Sequence, residues 1–305
     1  MSVTGLLGFG LTIPSLTEAA DYYTTFGLEA HERSSSLAMR CVGRDQDQIT
    51  LVEGPQKQLA FMSFSYRADG LDRLKQELAE RGIGECDPLP GVVGDGFWFR
   101  DPDGVLVNLQ MREPAAPRER PPTAMNLPGR YDRVDDGRWE HLWEERADVI
   151  RPRRMGHTIL FSPDIDASER FYREVLGFRF SDRNPGRVTF LNTGSGDHHV
   201  FGFAASTHSG LHHTSFEVAD MDEIAIGAQR MVDQGHTTGW GLGRHTMGSN
   251  LFHYVRDPWG SWTEYFSDID QITDDWVGRD WDVPPAIWCP TIPENFVDNL
   301  EPTDG

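Results

Sequence analysis

Two imidazoles and a carboxylate fall at matching places in a repeated pattern, and the first copy of the pattern lacks all three. In the C-terminal half of the 305-residue chain they are His157 (MGHTILF), His213 (LHHTSFEV) and Glu264 (SWTEYF). The matching N-terminal segments read LLGFGLT, LAFMSFS and VLVNLQM, with Phe9, Phe61 and Asn108 at those places. The flanking residues keep the same apolar texture. A change confined to three coordinating positions marks them as members of one site. Two histidines and one carboxylate form the ligand set that holds non-haem Fe(II) with positions left open. The gaps between them are too long for a local motif, so the symmetry carries the reading. An unpaired carboxylate buried in a sheet is costly, and a cation removes that cost. Taken singly, a strand histidine is more often a hydrogen-bonded core residue and a terminal-strand Glu lies on a solvated face. At three equivalent positions the metal reading prevails. His212 is expected on the opposite face from His213, because side chains alternate along a strand.

Elements that would position these residues recur through the chain. RDPDGVLVNLQ, from Arg100, matches RDPWGSWTEYF, from Arg256, and each carries a D-P-x-G turn between strand-like runs. LAFMSFSYRADGLDRL matches LHHTSFEVADMDEIAI, a strand running into a helix. ADYYTTFGLEAHER and SERFYREVLGFRFSDR each read as a helix closed by a glycine, Gly27 or Gly177. Each half divides again. Residues 4–53 read as strand, helix (17–26) and strands near 38–41 and 49–53; residues 58–112 read as strand, helix (71–81) and strands near 96–100 and 106–111. The pattern returns at 155–205 and 210–266. The expected fold is α+β: four βαβββ modules paired into two domains, each a curved mixed sheet around a cavity. A single module has too little core to stand alone.

The expected boundaries are 1–112 for an N-terminal domain without a metal site and 154–268 for a C-terminal catalytic domain. Between them, 113–153 is a proline-rich linker with a short helix carrying Trp139 and Trp143. Residues 269–305 form a Trp- and Pro-rich tail expected to pack on the body. Phe9 and Phe61 are expected to fill the space left by the missing ligands with a dry aromatic core.

With 38% hydrophobic and 25% charged residues the chain is expected to be globular. Its formal net charge of -20 argues against nucleic acid and against an anionic membrane surface. Cys41, Cys86 and Cys289 are isolated, which excludes a thiolate zinc site and fits a reducing compartment. The start, MSVTGLLGFG, does not read as a signal peptide, and no run approaches the roughly 20 apolar residues of a spanning helix. A soluble cytoplasmic protein is expected.

Three more residues sharpen the reading: His199 in GDHHVFGF, His245 in GLGRHTMG and Tyr254 in LFHYVRD. His245 and Tyr254 stand nine apart, and Glu264 follows Tyr254 by ten. With the G-H opening strand and the H-H pair, the pattern resembles the type I extradiol ring-cleaving dioxygenases of the vicinal oxygen chelate (glyoxalase/bleomycin resistance/dioxygenase) superfamily. The resemblance spans nearly the whole chain. It implies that His157, His213 and Glu264 bind Fe(II), or less often Mn(II), with O2 as co-substrate and a small aromatic diol chelating the metal. It implies that His199 stands beside the bound oxygen and transfers a proton, while His245 and Tyr254 hydrogen-bond the diol oxygens. A homo-oligomer is also implied. The chemistry asks for these types independently: proton movement near neutral pH favours His, and a phenol can donate to a catecholate.

The register of the His198/His199 pair rests on the resemblance. His253 should face away from Tyr254, toward solvent. Asn192, Arg244 and Thr246 are candidates for bracing the pocket. No Arg is assignable to a substrate carboxylate, which leans toward a neutral diol. The competing readings are a metal-dependent glyoxalase- or epimerase-like enzyme and a small-molecule-binding protein of the antibiotic-sequestering type. The G-R-H…Tyr signature favours the dioxygenase.

Overall fold

The computed structural model describes residues 3–92, 95–117, 119, 150–194 and 196–303. The helix expected around Trp139 and Trp143 lies outside the described residues. The first module runs β1 (Val3–Ile13), α1 (Leu16–Phe26), β2 (Leu28–Glu32), β3 (Leu37–Cys41) and β4 (Ile49–Glu53). Helix α1 starts where the Ser15 side chain accepts from the Glu18 N–H, and it stops at Gly27, whose φ of 111° is one that side chains resist. The second module runs β5 (Gln58–Tyr66), α2 (Leu71–Glu80), β6 (Phe97–Arg100) and β7 (Leu106–Gln110). Its first strand after the helix is reduced to one bridge, Glu85 to Phe99. Pro88 and Pro90 follow and have no N–H to continue a ladder.

The third module runs β8 (Arg154–Ser162), α3 (Ile165–Glu174), β9 (Arg179–Asn184), β10 (Val188–Asn192), β11 (Gly196–Asp197) and β12 (Phe201–Ala205). The fourth runs β13 (Gly210–Glu217), α4 (Met221–Asp233), β14 (Gly239–His245), β15 (Leu251–Arg256) and β16 (Trp262–Ser267). Two short tail strands follow, β17 (Gln271–Ile272) and β18 (Ala286–Trp288). The N-terminal modules share a sheet of order β2-β3-β4-β1-β5-β7-β6. The C-terminal ones share β18-β14-β15-β16-β13-β8-β12-β10-β9. Both sheets are mixed: β1 pairs parallel with β4 and antiparallel with β5, and β13 pairs parallel with β16 and antiparallel with β8.

One apolar cluster runs through both halves. Phe26 stacks on Tyr265 at 3.8 Å between centroids, and the Tyr265 hydroxyl donates to the Phe26 carbonyl at 2.8 Å. Phe64 meets Phe178 and Phe201 edge to face. The repeated D-P-x-G turns now have a physical reason. Asp101 Oδ1 accepts the Asp103 and Val105 N–H groups, and Asp257 Oδ1 accepts those of Trp259 and Ser261. Burial raises both carboxyls, Asp101 to about 7. The Tyr172 hydroxyl of α3 donates to Asp101 Oδ2 at 2.9 Å and ties the halves together.

The tail is held to the body by side chains of both halves. Trp276 Nε1 donates to the Ser181 carbonyl, and Trp240 and Trp262 donate to the carbonyls of Pro290 and Phe296. Near the end, Glu301 pairs with Lys57 and accepts the N–H groups of Leu59 and Leu211.

Candidate metal centre and pocket

Strands β16, β13 and β8 are neighbours, and their register sets three residues side by side: Ser215 lies opposite both His157 and Glu264. His213, two residues before Ser215, points to the same face. The structure therefore brings together the three residues singled out from the repeat. His157 Nε2 lies 3.0 Å from Glu264 Oε2, and His213 Nε2 lies 3.7 Å from the same oxygen. One ligand atom from each lies within 4.8 Å of the others, and all three residues are buried.

The donor set fits a divalent cation. His213 Nε2 is buried with no hydrogen-bond partner among the described residues, although it faces a carboxylate. Burial holds the His213 imidazole well below its usual pKa, which favours the neutral ring that a metal ligand requires. Burial works to raise Glu264, yet His157 and His245 hold its carboxyl well below the usual range. Ser215 Oγ donates to Glu264 Oε2 at 2.5 Å and Asn250 Nδ2 to Oε1 at 3.4 Å, which fixes the carboxylate.

The N-terminal half keeps the serine and loses the ligands. Ser63 lies opposite Asn108 and donates to its Oδ1 at 2.9 Å, as Ser215 does to Glu264. Phe61 packs on Trp98. The expected dry aromatic core is not what forms there. Phe9, Phe61 and Asn108 line a cavity of about 260 Å³ together with Arg40, Gln46 and Asp47. Polar side chains of the β3–β4 hairpin enter this space, because two phenyl rings do not fill it.

His199, His245 and Tyr254 all line a cavity of about 230 Å³ that also reaches His157 and His213. His245 Nδ1 donates to the Pro285 carbonyl at 3.0 Å, since a carbonyl only accepts. The other ring nitrogen, Nε2, lies 3.0 Å from the Tyr254 hydroxyl and 3.5 Å from Glu264 Oε1. Burial, then the Glu264 charge, pushes the Tyr254 phenol well above its usual pKa. The His199 ring lies 4.4 Å from that of His157. Burial and the surrounding histidines, His157 first, hold His199 well below its usual pKa.

Two expectations about neighbouring histidines fail. His212 does not face away from His213: both line the pocket, and their Nδ1 atoms lie 2.7 Å apart. The β13–β8 register slips between Leu211 and His213, and such a bulge breaks the alternation of faces. Burial brings His212 down to about 4. His253 does turn from the site, but onto Gly239 and Gly241 and not into solvent, and burial lowers it to about 4. Asn192, Arg244 and Thr246 do not line the pocket: Asn192 bonds Ser181, Arg244 the Ser249 carbonyl and Thr246 the Pro284 carbonyl.

Other functional groups escaped the sequence. The tail contributes Val283, Pro285 and Phe296 to the pocket, and Arg187 lines it as well. Ser215 carried a readable signal, since the serine stands in both copies of the repeat.

Residues 154–265 match the model of the Glyoxalase/Bleomycin resistance protein/Dioxygenase superfamily. The chain is 35% identical over 304 residues to Metapyrocatechase 2 of Cupriavidus necator, covering 96% of this chain and 91% of that protein. It is 28% identical over 141 residues to the iron-dependent extradiol dioxygenase of Rhodococcus jostii, 41% of this chain and 47% of that one. The crystal structure of the Mn(II)-bound glyoxalase from Novosphingobium aromaticivorans shares the fold with a TM-score of 0.73 at 25% identity, over 93% of this chain and 89% of that one. At 35% identity across almost its full length, the chain belongs to the metapyrocatechase family of extradiol dioxygenases, within the Glyoxalase/Bleomycin resistance protein/Dioxygenase superfamily.

Proposed function

We propose that the protein opens the ring of a small aromatic diol with O2, at the carbon–carbon bond beside the diol, on Fe(II) held by His157, His213 and Glu264. The observation that carries this is the partnerless His213 Nε2 aimed at the Glu264 carboxylate inside a buried pocket. Iron is favoured by the iron-dependent relative, while the Mn(II)-bound neighbour supports manganese as the alternative. When bound, the metal supplies a redox-capable Lewis acid with open positions for both diol oxygens and O2.

The remaining work falls to side chains. Tyr254 keeps its proton and donates toward a diol oxygen, and His245 Nε2 takes a diol proton. His199 is neutral and offers a nitrogen to the reacting face, where it takes and later returns a proton. Ile159, Val188, Phe190, Met247 and Phe296 form apolar walls that exclude water. An enediolate-forming glyoxalase or epimerase would need a second carboxylate as base. Glu264 apart, no Asp or Glu among the described residues lines this pocket.

The test is anaerobic purification with metal analysis, then O2 uptake against a panel of catechols. About one metal per chain and equimolar O2 consumption with a ring-opened product are expected, as the ligand count requires. His199→Ala should retain metal and bind catechol while kcat falls by about 10²–10⁴. Normal turnover in that variant would refute the proton-transfer role. A cytoplasmic homo-oligomer is part of the same proposal, checked by light scattering of the purified protein. Among the described residues no helix is long and apolar enough to cross a membrane.

A further inference from the structure

We propose that Asp182 and His198 are positioning residues that fix the tautomer of His199, so that its bare Nε2 faces the diol. The inference rests on the acid/base reading of His199 given above. Three side chains form one line. Asp182 Oδ2, on β9, lies 2.9 Å from His198 Nε2. His198 Nδ1 lies 3.0 Å from His199 Nδ1. Both Asp182 and His198 are buried, and Asp182 Oδ1 accepts the Arg279 N–H of the tail at 2.9 Å.

The direction of each bond follows from what each atom can do. An ionised carboxylate only accepts, so His198 Nε2 carries the hydrogen. With that single ring hydrogen on Nε2, the other His198 nitrogen is bare and accepts. Its partner is His199 Nδ1, which therefore carries the hydrogen. That leaves His199 Nε2 as the lone-pair nitrogen, and the His199 ring lies in the pocket against His157 and Phe190. Burial works to raise Asp182, yet the bonds from His198 and the Arg279 N–H keep its carboxyl below the usual range, which holds it in the accepting form. The hydrogen bond of the other ring nitrogen commonly decides which imidazole nitrogen is available for chemistry. The His198 ring is held for this task between Trp276 and Phe190, at 5.4 and 6.3 Å between centroids.

The experiment combines kinetics with a tautomer readout. Protein with 15N-labelled histidine is loaded with diamagnetic zinc, and the His199 nitrogens are assigned by comparison with His199→Gln. The wild type should show a protonated Nδ1 and a bare Nε2. His198→Phe suits the aromatic surroundings but offers no acceptor. It should shift His199 toward the Nε2–H form and lower kcat with the native metal about ten- to a hundredfold, with KM for catechol little changed. An unchanged tautomer together with an unchanged kcat would overturn the proposal. Asp182→Asn keeps the volume and can still accept from the Arg279 N–H, but its amide no longer dictates where the His198 hydrogen sits. It should give a mixture of tautomers and an intermediate kcat. If His198→Phe folds poorly or loses zinc, Asp182→Asn decides, and a wild-type tautomer there overturns the proposal. The tautomer signal does not depend on turnover. A failure of the His199 role therefore appears in His199→Ala kinetics and not in this spectrum.

Discussion

Glu264→Gln should give a folded protein that no longer retains its metal. The carboxylate is buried, and its two oxygens serve His157, His213, His245, Ser215 and Asn250. The amide keeps the shape and can still accept from Ser215, so the strands stay in register. What disappears is the negative charge, and a divalent ion then sits on nitrogen donors alone. Metal content measured by elemental analysis should fall from about one per chain to a trace. Lewis-acid assistance is worth several kcal/mol; a loss of about 4 kcal/mol corresponds to about a thousandfold in turnover. Asn108→Ala, at the equivalent place in the other half, should leave metal and turnover as they were. A Glu264→Gln protein that came off the column fully loaded would sink the assignment of this carboxylate as a ligand.

Lys57→Met should be the most destabilising single change outside the metal centre. Lys57 and Glu301 are both buried, and the pair joins β5 territory to the end of the tail. The Lys57 ammonium also donates to Ser261, whose hydroxyl in turn bonds the Leu211 carbonyl. Removing only the cation leaves the Glu301 carboxylate buried without its counter-charge, a change that costs about 3–5 kcal/mol. Against a typical total stability of about 5–15 kcal/mol this is a large fraction. Chemical denaturation should show the midpoint fall accordingly. The double change Lys57→Met with Glu301→Met should cost less than the sum of the two single ones. It should not be neutral, because the N–H groups of Leu59 and Leu211 lose their acceptor, at about 1–3 kcal/mol each. Strict additivity in the double variant would show that the two charges do not act as a pair.

What could be read from the sequence, and what could not, divides along a physical line. The β4 strand at Ile49–Glu53 and the α1 helix at Leu16–Phe26 follow from local signals, an alternating apolar run and a serine cap. His157, His213 and Glu264 were legible because duplication supplied an internal control: the same strand in the other half shows which positions changed. Pairing registers leave no such trace. The slip at Leu211/His213 that swings His212 into the pocket arises from how β13 meets β8, and neither strand alone encodes it. The line Asp182–His198–His199 joins a strand, a loop and the tail, and nothing local announces it. The tail has no period at all, so its contribution to the pocket walls appears only once it is folded back. The N-terminal cavity was misjudged for a related reason: aromatic identity at two places says little about the volume that the surrounding strands enclose.

The His245 imidazole takes its orientation from the carbonyl of Pro285, a residue that belongs to none of the four modules. Catalytic readiness therefore depends on a segment outside the modules. A protease cutting between Asp268 and Pro285 would spare the three metal-facing side chains, although the released segment takes β18 from the edge of the C-terminal sheet and Glu301 from Lys57. Once the cut segment drifted off, the ring beside Tyr254 would be free to turn and the pocket would flood. Such a clipped enzyme should keep its three metal-facing side chains, unfold at lower denaturant than the intact chain, and sit idle in the presence of catechol.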